Sequence, residues 1–177
     1  QAMSLASRAP FQSDRLALAV MSPRPGDVLA VPPDSQFLTG LDAVLEISAS
    51  PGEALRQLLP ELQRALAPVL ALVDPGQCRL ASGYARPFQT FGYNRVRYHY
   101  LMVRRADFSY ADYLDYYVHS HSQFGLASPL ADYYQNYLDH EAGQDMARLF
   151  GFNPVEADSI SELRFDRVED YLYSDTI

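Results

Sequence analysis

Residues 95–125, RVRYHYLMVRRADFSYADYLDYYVHSHSQFG, decide the predicted fold, because a strand pattern gives way to a helix pattern inside this stretch. Between residues 95 and 104, successive side chains point to opposite faces of the predicted strand. One face carries Val96, Tyr98, Tyr100 and Met102, and the other carries Arg97, His99, Leu101 and Val103. A strand with rings on both faces is expected in the interior of a sheet.

A helix is predicted to follow this strand. Ser109 with Asp112 three residues later is a capping pattern, which places the helix start at Ser109. The helix is expected to run to about Phe124 and to end at Gly125 in a left-handed conformation. Steps of three and four residues then put one set of side chains on a single side of the helix: Tyr113, Tyr117, Ser120, His121 and Phe124.

The rest of the chain extends this pattern to an α+β fold. Residues 41–48 have strand character, and Ser50-Pro51-Gly52-Glu53 predicts the start of a leucine-faced helix that Pro60 should kink or restart. Further strands are predicted at residues 78–86, 130–138 and 159–165, with a short helix around 145–150 closed by Gly151. The order β-α-β-β-α-β is typical of a ferredoxin-like antiparallel sheet with helices on one face.

Composition excludes several classes of function. The chain has 14 basic against 22 acidic residues and a net charge of −8, so we expect no nucleic-acid partner. All the basic residues are arginine, which excludes a Schiff-base or P-loop lysine. The single Cys78 cannot form an intramolecular disulfide, which favours a cytoplasmic location. Neither a membrane-spanning apolar run, nor metal-ligand spacing, nor a phosphate loop occurs, so we expect no membrane partner, metal or cofactor.

Three landmarks in the second half of the chain resemble the EthD family of the dimeric α/β-barrel superfamily. The first is a strand that ends in Arg104-Arg105 before a serine-capped helix. The second is the aromatic pair Tyr116-Tyr117 ahead of His121. The third is the strand with Tyr134-Gln135-Asn136, followed at a distance by ISELRFD at residues 160–166. The resemblance covers roughly residues 98 to 172.

The resemblance implies a sheet-and-helix layer that dimerises by pairing sheets and encloses a pocket between sheet and helices. Members of the family would add a helix and a closing strand after Ile177. We expect residues 41–88 to supply the missing βαβ half instead; the alternative is that the end is absent from this sequence. The predicted organisation is a proline-rich arm at residues 1–40 and a ferredoxin-like domain at residues 41–177, with residues 95–177 as its EthD-like half.

His121 is the principal catalytic candidate. It occupies the family's histidine position, and an imidazole with an ordinary pKa of about 6.5 can act as a general acid or base. The alternative is a structural histidine that is hydrogen-bonded within the helix layer. His119 points about 200° away on a helix, so it is predicted to lie at the surface.

Other side chains complete the predicted site. Tyr117 lies one turn before His121, and the amide of Asn136 can orient a carbonyl oxygen, so both join the predicted catalytic group. The predicted substrate-binding residues are Tyr98, Tyr100, Tyr113, Phe124, Tyr134 and Arg104. Core packing is the alternative for the tyrosines, and pairing with local acids such as Asp107 is the alternative for the arginine.

One assignment depends on which face of the predicted strand at residues 130–138 meets the helices. A shift of one residue would exchange Tyr134 and Asn136 for Tyr133 and Gln135. A separate prediction concerns four acidic residues that are expected to form a solvated face: Glu162, Asp166, Glu169 and Asp170.

These features and the resemblance predict a small cofactor-independent enzyme of the isomerase, cyclase/dehydratase or monooxygenase type. It would form a homodimer and use proton transfer on an aromatic, polyketide-like or lactone substrate. The alternative is a non-catalytic dimeric binding protein for a hydrophobic metabolite or haem. In a third interpretation, the tyrosines are buried between subunits and the sheet serves mainly for assembly.

Overall fold

The computed structural model describes residues 15–20, 43–48, 55–93, 95–167 and 169–170. The chain divides into two compact units, Gln1–Cys78 and Arg79–Ile177. All of the predicted site residues fall in the second unit. Each unit is therefore described by itself.

The first unit contains a two-stranded antiparallel sheet and one helix. Strand β1 (Arg15–Val20) pairs with β2 (Ala43–Ser48), from Arg15 opposite Ser48 to Val20 opposite Ala43. Helix α1 (Leu55–Leu70) continues through Pro60 and Pro68, so the predicted restart at Pro60 does not occur. Its leucine face buries Leu62 and Leu66, as the spacing predicts.

The second unit is built on a four-stranded antiparallel sheet in the order β4-β6-β8-β5. Its strands are β4 (Gly83–Gln89), β5 (Val96–Met102), β6 (Asp132–Leu138) and β8 (Ser159–Phe165). The predicted strand at residues 78–86 is divided into β3 (Arg79–Leu80) and β4, and β3 pairs in parallel with β7 (Asn153–Pro154). The protein is therefore a mixed α+β protein with an antiparallel sheet.

The strand pairing corrects one expectation about the first half of the chain. Residues 41–88 were expected to supply a complete βαβ half of the sheet, but among the described residues β2 pairs with β1 and only β4 from this range joins the four-stranded sheet. The reason is that β1, within the proline-rich arm of residues 1–40, is a six-residue antiparallel partner for the whole of β2.

Three consecutive helical segments connect β5 to β6. They are α2 (Tyr110–Tyr116), a π-helix (Tyr117–His121) and α3 (Ser122–Leu126). The Ser109 side chain accepts a hydrogen bond from the Asp112 backbone N–H, which confirms the predicted cap. Gly125, however, has no positive φ and lies inside α3. The predicted left-handed stop is therefore wrong.

Gly125 is required at its position by packing rather than by backbone conformation. A Cβ placed on it would collide with the ring of Tyr133 on β6. The close approach lets α3 lie directly on the sheet. The glycine that does end a helix is Gly151, with φ of 71°, after α4 (His140–Phe150), as predicted.

The core of the second unit lies between the helical connection and one face of the sheet. Its buried cluster comprises Ala131, Tyr133, Leu163 and Phe165, with Phe88, Val96, Tyr98 and Tyr100 packed against it. The polar contacts Tyr113 with Ser159 and Tyr117 with Ser161 join the helices to the same face. No helix among the described residues is long and apolar enough to cross a membrane.

Candidate functional site

A polar layer fills the space between the helical connection and the sheet. We call it the tyrosine layer and define it as Tyr113, Tyr117, His121, Tyr133, Gln135, Tyr137, Ser159 and Ser161. Its helical part is a stack of three rings. The centroids of Tyr113 and Tyr117 are 5.6 Å apart with the planes inclined by 10°, and those of Tyr117 and His121 are 5.4 Å apart. The prediction that these three residues share one side is confirmed.

Two serines on β8 hydrogen-bond with the hydroxyl groups of the two tyrosines in this stack. The hydroxyls of Tyr113 and Ser159 are 2.5 Å apart, and those of Tyr117 and Ser161 are 2.9 Å apart. The Oγ of Ser161 also lies 3.4 Å from Nε2 of His121. Because both serines are almost fully buried, they can hydrogen-bond only with groups of the layer.

The π-helix decides how far His121 is buried. A continuous α-helix would turn His121 and Phe124 inward with Tyr117, but the wider π turn shifts the pattern by one residue. The buried positions after it are Ser122 and Gly125, whereas His121 is half-buried and Phe124 is 50% exposed. His121 therefore lies at the edge of the layer, and its ring centroid is 5.8 Å from that of Phe124.

Gln135 ties the π-helix to the sheet. Its Nε2 donates to the backbone carbonyl oxygen of Tyr117 at 2.7 Å and to the Tyr133 hydroxyl at 2.8 Å. The Tyr137 hydroxyl donates to its Oε1 at 2.6 Å. Gln135 is 0% exposed, so every hydrogen-bonding group of its amide has a partner within the chain.

Burial shifts the pKa of each titratable group in the layer towards the neutral form. Desolvation raises the pKa of Tyr113 to about 12 and raises the pKa of Tyr117, Tyr133 and Tyr137. Desolvation lowers the pKa of His121 below its ordinary value. The tyrosine layer is therefore neutral at physiological pH, and His121 is the group in it that titrates most readily.

The strand tyrosines Tyr98 and Tyr100 lie on the face that carries the tyrosine layer. Tyr100 is the cross-strand neighbour of Ser161, and Tyr98 is the neighbour of Leu163. Both are partly buried, with ring centroids 4.4 Å apart. The predicted grouping of these two residues on the side of His121 is therefore found in the structure.

Tyr134 and Asn136 were predicted to join this site, but they lie on the opposite face of the sheet. The guanidinium of Arg164 lies 3.7 Å from the centroid of the Tyr134 ring. The Asn136 side chain donates to the carbonyl oxygen of Ile160 at 3.0 Å. The strand itself was predicted correctly, but the face of the strand that meets the helices was predicted wrongly. The alternation of residues along β6 alone does not show which side of the strand the helices cover.

Arg104 is also separated from the tyrosine layer by its contacts. Its backbone N–H donates to Asp158 at 2.8 Å, and its guanidinium lies 3.3 Å from the same carboxylate. Arg105 pairs with Asp107, the local alternative considered for this pair. His119 is exposed and contacts Asp115, as predicted for a surface residue.

A buried charged cluster on the opposite face was missed by the sequence analysis. Glu162 is 2% exposed rather than solvated, and its Oε1 lies 2.6 Å from Nε of Arg164 and 3.5 Å from Arg97. Burial acts to raise the pKa of Glu162, but Arg164, His99 and Arg97 together lower it. The alternation of Glu162 and Arg164 along β8 was the available signal, because residues two apart share a face.

Other possible sites in the described residues carry less chemistry. A cleft of about 210 Å³ lies beside the start of α4, between Ser82, Leu138, His140 and Glu156. None of the predicted site residues lines it. Within the described ranges, no group of three or more histidine, cysteine, aspartate or glutamate side chains is arranged to hold a metal ion.

Comparisons of the chain with protein-family models, with curated proteins and with solved structures found no match. The geometry of the tyrosine layer is therefore the basis for the functional proposal.

Proposed function

We propose that this protein is a small cofactor-independent enzyme in which His121 carries out proton transfer on an aromatic, polyketide-like or lactone substrate. One observation carries the proposal: His121 is half-buried, stacked on Tyr117 and within reach of the buried Ser161 hydroxyl. The reaction would be of the isomerase, cyclase/dehydratase or monooxygenase type. Such substrates are activated by a neighbouring carbonyl or phenol, so a positioned proton carrier supplies much of the catalysis.

The position of His121 at the end of a π-helix supports this role. Single π turns occur often at functional sites because they displace one side chain from the regular helix pattern. Here the displaced residue is the one whose ordinary pKa of about 6.5 suits proton exchange near neutrality. Phe124 supplies aromatic surface beside it, and Tyr98 and Tyr100 lie on the same face of the sheet as the tyrosine layer. Tyr113 and Tyr117 are the buried residues of the helical part of the layer.

The resemblance to the EthD family supports the same proposal. Strand β8 lies between β5 and β6 and is antiparallel to both, so β5 and β6 are parallel and joined by the helical connection. A split βαβ arrangement of this kind supports the ferredoxin-like fold that we propose with it. With that family assignment we also propose a homodimer formed through paired sheets, and a cytoplasmic location.

The test is a turnover screen of lactones and aromatic polyketide-type carbonyl compounds with three proteins: wild type, His121→Ala and His119→Ala. His119 is the matched control, because it lies two residues away but is exposed and contacts only Asp115 among the described residues. We expect His121→Ala to abolish turnover with an unchanged circular dichroism spectrum, and His119→Ala to retain it. Full activity of His121→Ala would overturn the proposal.

A second candidate function is a non-catalytic dimeric binding protein for a hydrophobic metabolite or haem. It is favoured by the hydrogen bonds of the tyrosine layer, in which the hydroxyls of Tyr113, Tyr117 and Tyr137 already have partners within the chain. Native mass spectrometry of freshly purified protein, with its absorption spectrum, tests this candidate. A retained ligand that is released unaltered would favour binding, and a Soret band would identify haem.

A further inference from the structure

The tyrosine hydroxyls of the helical connection hydrogen-bond with the serines of β8, and the direction of these bonds follows from burial. Tyr113 is 5% exposed, and among the described residues its hydroxyl contacts only Ser159 Oγ. A buried hydroxyl hydrogen without an acceptor is unfavourable, so Tyr113 donates to Ser159. The Tyr117 side chain is 0% exposed, and among the described residues its hydroxyl is hydrogen-bonded to Ser161 Oγ alone.

The next donation is from Tyr117 to Ser161. The Tyr117 hydroxyl is buried like that of Tyr113, so its hydrogen is directed to its partner, Ser161 Oγ, at 2.9 Å. A serine hydroxyl has one hydrogen and two lone pairs. Once Ser161 accepts from Tyr117, its hydrogen needs an acceptor of its own.

The amide of Gln135 holds the residues on either side of this hydrogen bond. The Tyr117 carbonyl oxygen can only accept, so the Gln135 amide must turn its NH₂ towards it. The second hydrogen of that NH₂ goes to the Tyr133 oxygen. Ser161 accepts from Tyr117, and among the described residues the acceptor within reach of its own hydrogen is Nε2 of His121 at 3.4 Å.

We infer that Ser161 donates to Nε2 of His121, so that the neutral imidazole carries its proton on Nδ1 and offers a ligand an N–H donor. No hydrogen bond from Nδ1 is found among the described residues. An N–H donor at the edge of the tyrosine layer selects a ligand oxygen that can accept, such as a carbonyl, enolate or phenolate oxygen. This ligand assignment rests on the proposed function and deepens it.

The inference assigns separate roles to the two residues. His121 contacts the substrate through Nδ1–H, which stabilises the negative charge that develops on the substrate oxygen. The Nδ1 proton is also the one that His121 can transfer to that oxygen as a general acid. Ser161 is a positioning residue, because it acts through the tautomer of His121. No bond to Ser161 forms, and no proton needs to leave the serine or tyrosine hydroxyls.

The tautomer can be measured without a substrate. In long-range ¹H–¹⁵N spectra of histidine-labelled protein, recorded at a pH where the ring is neutral, the protonated and unprotonated nitrogens have distinct shifts. His121 is identified among the four histidines by the signal lost in His121→Ala. We expect the proton on Nδ1 in the wild type, the opposite of the preference of free histidine in water. A proton on Nε2 in the wild type would overturn the inference without any variant.

Variants test whether Ser161 is the cause. Ser161→Ala should lose the preference for Nδ1–H, and Ser161→Thr, which keeps a hydroxyl, should retain it. Tyr110→Phe is the matched control, because the Tyr110 hydroxyl donates to the Leu138 carbonyl oxygen rather than to a serine of β8, and it should leave the tautomer unchanged. Retention of Nδ1–H in Ser161→Ala would contradict the inference. An inactive panel in the turnover screen would instead reject the proposed function and leave the tautomer standing.

Discussion

Gln135 Nε2 donates to the backbone carbonyl oxygen of Tyr117 at 2.7 Å, which joins the first residue of the π-helix to the centre of β6. The amide lies in the sheet and the carbonyl lies in the helical connection, so the bond spans the whole tyrosine layer. The same π-helix ends at His121. The position of the candidate catalytic residue therefore depends on a side chain that does not contact it.

The first prediction concerns this bond. Gln135→Met keeps the volume of the side chain but removes both donors and the acceptor, so buried groups of Tyr117, Tyr133 and Tyr137 lose a partner. The free energy of unfolding should fall by about 1–3 kcal/mol. Because the chain has no tryptophan, urea unfolding is best followed by circular dichroism.

The control for this prediction is Asn136→Ala. Asn136 also donates to a backbone carbonyl oxygen, but it is only partly buried and lies on the opposite face. Its loss should lower the free energy of unfolding by about 0.5–1.5 kcal/mol and leave the NMR signal of His121 in place. The account is contradicted if Gln135→Met is no less stable than Asn136→Ala.

The second prediction compares two helical glycines. Gly125→Ala places a methyl group against the Tyr133 ring and should destabilise the protein by about 1–3 kcal/mol through overpacking. Gly143→Ala, in α4, meets only an ordinary contact, 3.6 Å from the Ser82 backbone nitrogen. Because alanine favours a helix, that variant should be unchanged or up to about 1 kcal/mol more stable. Equal stabilities would show that α3 does not lie as close to β6 as described.

The third prediction concerns the charged cluster on the opposite face. Glu162→Gln removes the carboxylate that Arg97 and Arg164 both contact, which should destabilise the protein by about 3–5 kcal/mol. Breaking the exposed pair of Arg105 and Asp107 with Arg105→Ala should change the free energy of unfolding by less than about 1 kcal/mol. A Glu162→Gln protein as stable as Arg105→Ala would show that the cluster does not stabilise the fold.

The cluster also predicts a pH dependence in the acid range. The pKa of Glu162 is lower in the folded protein than in the unfolded chain. Its contribution to stability is therefore complete above the ordinary glutamate pKa of about 4.3 and is lost as the pH falls through the folded value. Wild type should lose stability in that window more steeply than Glu162→Gln, and parallel curves would contradict the shift.

The local pattern of the sequence predicted most elements of the second unit. It did not predict which faces of β6 and β8 meet the helices. Residues 95–104 alternate strongly, and Ser109 caps its helix as predicted, so the strand and the start of α2 were predicted correctly. The expected interior position of this strand was wrong, because β5 lies at the edge of the four-stranded sheet of the described residues. By contrast, Tyr134 and Asn136 alternate with Tyr133 and Gln135, and both pairs are polar and aromatic. Which pair meets the helices is decided by tertiary packing that no single strand encodes.

The π-helix and the pairing of β2 were likewise inaccessible to pattern analysis. A π turn adds one residue to a helical repeat, and α periodicity projected Phe124 inward, where the structure buries Gly125. The partner of β2 is a strand inside a stretch whose prolines suggested an irregular arm. His121 could be selected from the sequence by its resemblance to the family position. Its half-buried state and its contact with Ser161 required the fold.

The most direct test of the account is the NMR titration of His121 in the wild-type protein. Burial disfavours the charged ring, so the pKa of His121 should lie below the ordinary value of about 6.5. In this case, folding stability should begin to fall as the pH drops below about 6.5, because the unfolded chain binds the proton first. A His121 pKa at or above about 6.5 would contradict the claim that a neutral, half-buried imidazole lies at the edge of the tyrosine layer.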